Sequence, residues 1–523
     1  MARPRLIYYN DAHHFHAKRI EPPASRHLLQ WPVDEVAGSG VDLLVLGLGY
    51  GDVYFHESKV GRVVGQGKQV WESYIDWRVM HMVEAGRRLG TDQLRAVIER
   101  GRELGVGVFP SLKLQDVSPP GSERCGRLKG ARGAAVCIGA EGRYEWAYDF
   151  ALEEVRQDKL AVLREVLFEY GADGVELDFM FDACYFRAGQ VEAGTAVMTR
   201  FVAQVRQLAA EAGSGQGRAL PVMVRVALER ERNLAMGLDV EDWLRQGLVD
   251  YAVAQDERLL TDTQPRPTWL PVAARAAGAL AYYRPPRRVY HEAAGVPTIE
   301  MYRALRQTLD REGYAGLYHG YMPWPLAAAE HEFLREMAFP EVLRRRPKRY
   351  YLQPREGPAS GPSTTPDRVL PARLAEGETI AARLWVADDV MAARRDGEMR
   401  RPILTLRFSC YCIEDDVEMR FNGRLLSVDE AEITDARALT MATRLAGGME
   451  IQAPLGMAAH WFRFRLELED VRPGQNLVEV ECRSLAPRAG FARHLNGVEV
   501  LMRYRDFERP EGLGAERLDP GGG

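Results

Sequence analysis

Short apolar runs alternate with stretches of helical spacing through the first two thirds of the chain. RLIYYN (Arg5–Asn10), VDLLVLGLGYG (Val41–Gly51) and LGVGVFPSLKL (Leu104–Leu114) are too short for core helices and read as buried strands. The third follows a helical pattern over Asp92–Leu104. Glu153–Gly171 has apolar residues at helical spacing and closes on a glycine suited to a C-cap. Asp173–Phe179 then reads as a fourth strand and Leu220–Ala227 as a fifth. Asp239–Gln255 gives a capped helix and a sixth strand from Asp250, and Ala279–Arg284 gives a seventh. Ile299–Met322 supplies a helix, a glycine stop and an eighth strand. Eight β→α alternations in about 345 residues predict a (β/α)8 barrel of the α/β class. A doubly wound open sheet is the other solution, but no GxGxxG follows the first strand, which weighs against a dinucleotide fold.

Past residue 350 the period changes from helical to two. Leu352–Pro371 (LQPREGPASGPSTTPDRVLP) has the Pro, Ser and Gly content of a connector. Beyond it ETIAARLWV, PILTLRFSCYCI, DVEMRFNGRLL, HWFRFRLELEDV and NLVEVECRSL alternate apolar and polar residues. FNGR (Phe421–Arg424) is an Asn-Gly hairpin signal, and RPGQN (Arg472–Asn476) marks a second turn. The expected organisation is a barrel over 1–350, a linker over 351–371, an all-β sandwich of jelly-roll type over 372–510 and a disordered tail over 511–523.

Composition narrows the function classes. A chain of 523 residues that is 46% hydrophobic can bury more than one core. A net charge of -5 on that length is close to balance, and RRRPKR (Arg344–Arg349) is the single dense basic run. It reads as a solvated helix end, and no nucleic-acid partner is expected. The six cysteines (Cys125, Cys137, Cys184, Cys410, Cys412, Cys482) form no CxxC pair and no zinc spacing, so free thiols are expected. The start MARPRLIYYNDAHH has no apolar leader core, and no stretch reaches the length of a membrane span. The expectation is a cytoplasmic protein without a membrane partner.

In a barrel, chemistry gathers at the C-terminal strand ends. Those ends carry Asn10 and Asp11, Tyr50 and Asp52, Lys113, Gln115 and Asp116, then Glu176 and Asp178 with Asp182 beyond. Arg225, Gln255, Asp256, Glu257, His319, Tyr321 and Trp324 complete the set. Paired carboxylates with aromatic and polar groups suit glycoside hydrolysis. Glu176 and Asp178 stand two apart on one strand and point the same way, with Asp178 nearer the mouth and Arg225 on the adjacent strand as a cation between them. Glu176 equally suits a structural part, paired with Arg225 or Lys113 inside the barrel, and Asp11, Asp116 and Gln255 suit loop caps. His14 and His16 make an HxH after the first strand. No histidine occurs between His81 and His291, so the rest of an amidohydrolase metal site is missing and no metal or cofactor is expected. EDDVE (Glu414–Glu418) lacks the spacing of an EF-hand and reads as a solvated turn.

YNDAHH, SLKLQD, YDFALEEVRQDKL, ADGVELDFM, GLDVEDWLRQGLVDYAV and YAGLYHGYM occur in an order that resembles the family-10-like glycosyl hydrolases of bacteria, over Arg5–Pro340. That family's fourth strand carries D-G-[IV]-x-[LF]-D, matched here by Asp173 to Asp178. Its R-x-N-D run on strand three has Asp116 in place, with Lys113 and Gln115 where Arg and Asn stand in the family. The fourth strand is also similar to that of α-amylase barrels, whose nucleophile falls at Asp178. Family 18 chitinases share its start, but their essential Glu falls at Met180, so that mechanism is not implied. The C-terminal strands resemble sugar-binding jelly-roll modules. A packing or oligomer-forming domain is the other reading of them.

Together these imply a glycoside hydrolase acting on a poly- or oligosaccharide, with Asp178 as nucleophile or electrostatic stabiliser. Glu257, Asp256 or Glu176 would be the acid/base. Tyr50, Trp71 and Trp324 would be stacking platforms, with Asp11, Lys113, Asp116, Arg225, Gln255, His319 and Tyr321 as further substrate contacts. A catalytically silent glycan-binding barrel is the second hypothesis.

Overall fold

A computed structural model describes residues 3–13, 15–19, 25–71, 73–256, 262–286, 297–320, 322, 326–353, 370–435 and 459–505. His14, Glu257, Tyr321 and Trp324, most of the expected linker (354–369) and the tail (506–523) lie outside the described residues. The chain divides into two compact units: Met1–Asp256 with Pro267–Pro285 and Gly313–Ala338, and Glu257–Arg266 with Pro286–Glu312 and Phe339–Gly523.

In the first unit eight parallel strands close into a barrel in chain order: Leu6–Asn10, Val41–Gly47, Gly107–Lys113, Val175–Asp178, Val222–Ala227, Tyr251–Gln255, Leu280–Arg284 and Gly316–Gly320. Their near-continuous apolar runs are those of strands covered on both faces. Flanking helices follow sequence signals: Gln93–Leu104 opens where the Asp92 side chain accepts from Arg95 N and stops at Gly105, φ 71°. The interior is packed by Ile7, Tyr9, Val45, Phe109, Tyr251 and Tyr282, among others. Gly174, at the entry to strand four, is what lets Phe109 fill that space. A Cβ there would stand 2.4 Å from the Phe109 ring and 2.6 Å from Pro221 O.

The second unit contains two antiparallel sheets. The larger runs Lys348–Leu352, His494–Tyr504, Met399–Ser409, Ala459–Arg465, Glu432–Asp435, with Ala372–Arg373 also paired to His494–Tyr504. The smaller runs Thr379–Val386, Gly474–Ser484, Asp416–Phe421, Arg424–Leu426. Leu384, Leu406, Phe408, Phe421, Val480 and Val500 belong to one core shared by both. The Asn422–Gly423 turn has φ of 51° and 86°, as an Asn-Gly hairpin requires. The helix Ile299–Glu312, which in sequence lies between barrel strands seven and eight, groups with this unit. Its Thr308 hydroxyl donates to Thr263 O at 3.3 Å and its Arg311 Nε to Ala387 O at 2.6 Å.

The basic run Arg344–Arg349 is a solvated helix end only at its start, where Arg344 is exposed, while Lys348 and Arg349 are buried. A 3-10 turn (Pro340–Arg345) leads directly into the strand Lys348–Leu352. Lys348 is wholly buried, and its ammonium lies 2.8 Å from Asp388, itself 2% exposed. Burial pushes the lysine down from its usual value while Asp388 opposes this. Removing one partner strands a buried charge, so Lys348→Met is expected to cost about 3 kcal/mol or more, read from thermal denaturation. A loss under about 1 kcal/mol would show that Asp388 finds another cation. Among the described residues no helix is long and apolar enough to cross a membrane.

Candidate active site

Strand pairing sets the site. Lys113 pairs with Asp178, Asp178 with Arg225, and, one layer deeper, Ser111 with Glu176. Side chains two apart share a face, so Glu176 and Asp178 both enter the interior beside Ser111, Lys113 and Arg225. Arg225 links the two acids. Its Nη2 donates to Asp178 Oδ2, its Nε lies 3.4 Å from Glu176 Oε1, and its Nη1 donates to Gln255 Oε1 at 3.3 Å. The guanidinium sits 4.8 Å from the Tyr9 ring centre and 5.5 Å from that of Tyr318. Gln255 Oε1 also accepts from Arg284.

The two carboxylates differ in surroundings. Asp178 is 2% exposed; its Oδ1 accepts from the backbone N–H groups of Met180 at 2.9 Å and Phe181 at 3.1 Å. Glu176 is fully buried and accepts from the Ser111 hydroxyl. Burial pushes the Glu176 carboxyl up from its ordinary value. Arg225 opposes this, Asp178 adds to it, and the Ser111 and Tyr318 hydroxyls pull it back without cancelling the rise. Burial acts most strongly against the Arg225 charge, but Asp178, Tyr318, Glu176 and Tyr9 together outweigh it and push the guanidinium further up from its usual value.

Other expected residues have other surroundings. Asp116 is 2% exposed, with Lys129 Nζ at 2.7 Å and the Ser118 hydroxyl at 2.7 Å, which makes it a loop-holding group rather than a substrate contact. Tyr50 is 4% exposed, its hydroxyl bonded to Asp76 at 3.0 Å and its ring packed against His13 and Arg124, so it is not an open stacking platform. Asp256, next after Gln255, accepts from the Tyr283 hydroxyl at 3.2 Å. Asp11 is buried at the end of strand one, and its charge favours the Lys113 ammonium. His319 packs on Phe333 with ring centres 4.6 Å apart, and Trp71 carries the Lys68 ammonium 4.8 Å over its ring. Among the described residues no cluster of His, Cys, Asp and Glu could hold a metal.

Sequence reasoning passed over Ser111, Arg124, Phe181 and Arg284. Ser111 and Arg284 had a usable signal, the inward parity of strands already identified. Phe181 is half-buried with the Lys113 ammonium 4.5 Å from its ring centre. It lay inside the fourth-strand motif, disguised as a core residue.

The histidines after strand one are packed. His16 is 1% exposed, its Nδ1 is 2.8 Å from Ala12 O, and its ring lies 4.7 Å from that of Phe55. Burial lowers it to about 4, helped by His13 and opposed by the Ala12 carbonyl and Asp11. The fold therefore keeps it neutral while the unfolded chain takes up a proton below about 6.5. Stability is expected to fall by about 3 kcal/mol as pH drops from about 6.5 to about 4. Denaturation midpoints across that window should decline less steeply in His16→Phe; equal slopes would refute this.

No protein-family model and no curated protein matches the chain. Several solved structures that resemble it distantly are glycoside hydrolases. The Paenibacillus sp. cycloisomaltooligosaccharide glucanotransferase, complexed with cycloisomaltoheptaose, is 9% identical over 95% of this chain and 57% of that one, TM-score 0.36. Alpha-L-fucosidase isoenzyme 2 from Paenibacillus thiaminolyticus is 15% identical over 65% of this chain and 49% of that one, TM-score 0.39. The glycoside hydrolase domain of PelA from Pseudomonas aeruginosa is 14% identical over 60% and 93%, TM-score 0.33. The chain spans about half the length of the first two. The family-10-like resemblance finds no matching family model.

Proposed function

We propose that the barrel is a glycoside hydrolase acting on a poly- or oligosaccharide, with Asp178 as the nucleophile or electrostatic stabiliser. One observation carries this: Asp178 is held at the C-terminal strand end by Arg225 and two backbone N–H groups. Donors on both oxygens fix the orientation of this carboxylate at the strand end, and a carboxylate so fixed suits attack on, or stabilisation of, an oxocarbenium-like centre. Glu176 lies one layer deeper, wholly buried. A glycosidic oxygen cannot reach it there, and in this reading it holds Arg225 in place. The proton donor is then Asp256, which follows strand six, or Glu257, the next residue in sequence.

The same contacts favour a second reading. Both oxygens of Asp178 already have partners, as a purely architectural carboxylate would. A silent glycan-binding barrel fits that. The test is product release from a panel of oligosaccharides and aryl glycosides by the wild type and Asp178→Asn. Cleavage lost in the variant supports the hydrolase, and binding without product in either protein supports the silent barrel.

A further inference from the structure

Among the described residues, two cations at the mouth lack a carboxylate partner. The half-buried Lys113 donates to Gly49 O at 3.2 Å, and its ammonium faces the Phe181 ring. The exposed Arg124 lies 4.8 Å over the Tyr50 ring. Neither forms an ion pair among the described residues. One turn carries both. Lys113 holds the carbonyl of Gly49, Arg124 covers the ring of Tyr50, and Arg124 also packs on Gly51. A Cβ on Gly51, at φ 57°, would stand 2.7 Å from that of Arg124. The turn is fixed further along, where Asp52 N donates to Arg124 O at 3.0 Å. Phe181 joins this group to the carboxylate, since its N–H bonds Asp178.

A partly desolvated ammonium without a counter-ion is costly, and an incoming anion offsets that cost. Burial already lowers the Lys113 ammonium from its usual value, although Asp11 and Asp178 favour its charge and Arg225 and Arg124 oppose it. A guanidinium adds a planar fork that matches an oxyanion. We propose that the mouth takes an acidic sugar, a uronic acid residue whose carboxylate is held by Lys113 and Arg124 with its ring against Phe181. This rests on the mouth being a glycan site and names the substrate class for it.

Calorimetric titration of the full chain with trigalacturonic acid, maltotriose and inorganic phosphate tests it at about 50 mM and about 300 mM salt. Trigalacturonic acid is expected to bind at least about tenfold more tightly than maltotriose and to weaken at the higher salt. Arg124→Gln and Lys113→Gln, each shown to be folded by its thermal midpoint, should each weaken the acidic ligand about tenfold and spare maltotriose. Equal affinity for the two trisaccharides, or no effect of either substitution, overturns the proposal. Phosphate binding as strongly as the uronate overturns the sugar and leaves a plain oxyanion site. Uronate binding without product release keeps the subsite and removes the hydrolase. Cleavage of neutral glycans without uronate binding does the reverse.

Discussion

Arg225→Met is expected to destabilise the barrel by about 3–5 kcal/mol, measured by denaturant unfolding near pH 8. The guanidinium is 3% exposed and is shared by Asp178, Glu176 and Gln255. Its removal leaves two carboxylates two residues apart in the barrel interior without their cation. Lysine does not replace it, because one compact ammonium cannot span three acceptors on strands four and six. The loss should depend on pH in a defined sense. Glu176 is already raised by burial, and without Arg225 it rises further. The folded variant then holds a proton that the unfolded chain releases above about 4.3, so its stability falls as pH rises from there. The deficit against wild type should therefore be smaller near pH 5 than near pH 8. Removing the acid as well, in Arg225→Met with Glu176→Leu, should recover part of the loss, with a coupling of about 1–3 kcal/mol. A single-variant loss under about 1 kcal/mol, flat with pH, would mean the carboxylates have other means of neutralisation.

The barrel was legible because its strands are uninterrupted apolar runs separated by capped helices, and all eight are formed where those runs lie. Two strands of the second unit were hidden by residues that usually mean something else. Lys348–Leu352 opens on Lys-Arg, which reads as solvated until Asp388 and Glu499 are seen to meet those charges. His494–Tyr504 contains Asn496–Gly497, a turn signal that here lies inside a strand. Arg407 pairs with Gly497 and Phe408 with Leu495, so Asn496 is the extra residue of a bulge. In the candidate site, the Glu176, Asp178 and Arg225 group follows from strand parity and adjacency alone. The burial of Asp116 does not, because it depends on Lys129, which comes from a short helix thirteen residues on. Tyr50 misled for the same reason: its cover, Arg124, comes from a distant loop. Parity along a strand is local information, whereas what covers a strand end is supplied by loops whose course no periodicity records.

If the barrel is the proposed hydrolase, Asp178→Asn is expected to lower the rate of glycoside cleavage by about 10³-fold or more, some 4 kcal/mol of barrier. Asparagine keeps the size of the group, and its carbonyl can still accept from Met180 and Phe181 N–H, the partners of Asp178 Oδ1. What changes is the other atom. An NH2 group then faces the Nη2 of Arg225, donor against donor, and the negative charge is gone. Some stability is lost with it, so the rate must be read on protein shown to be folded, with substrate affinity measured separately. A fall in kcat with KM nearly unchanged places the charge in the transition state. Asp178→Ala with added azide then separates nucleophile from stabiliser. If the carboxylate forms the covalent bond to the anomeric carbon, azide entering the vacated space attacks that carbon. The glycosyl azide forms with inverted configuration as the leaving group departs. No azide product, with the same rate loss, leaves Asp178 as a stabilising charge beside a water nucleophile. Full activity in Asp178→Asn would strip it of any catalytic part and make it, like Glu176, a group that seats Arg225.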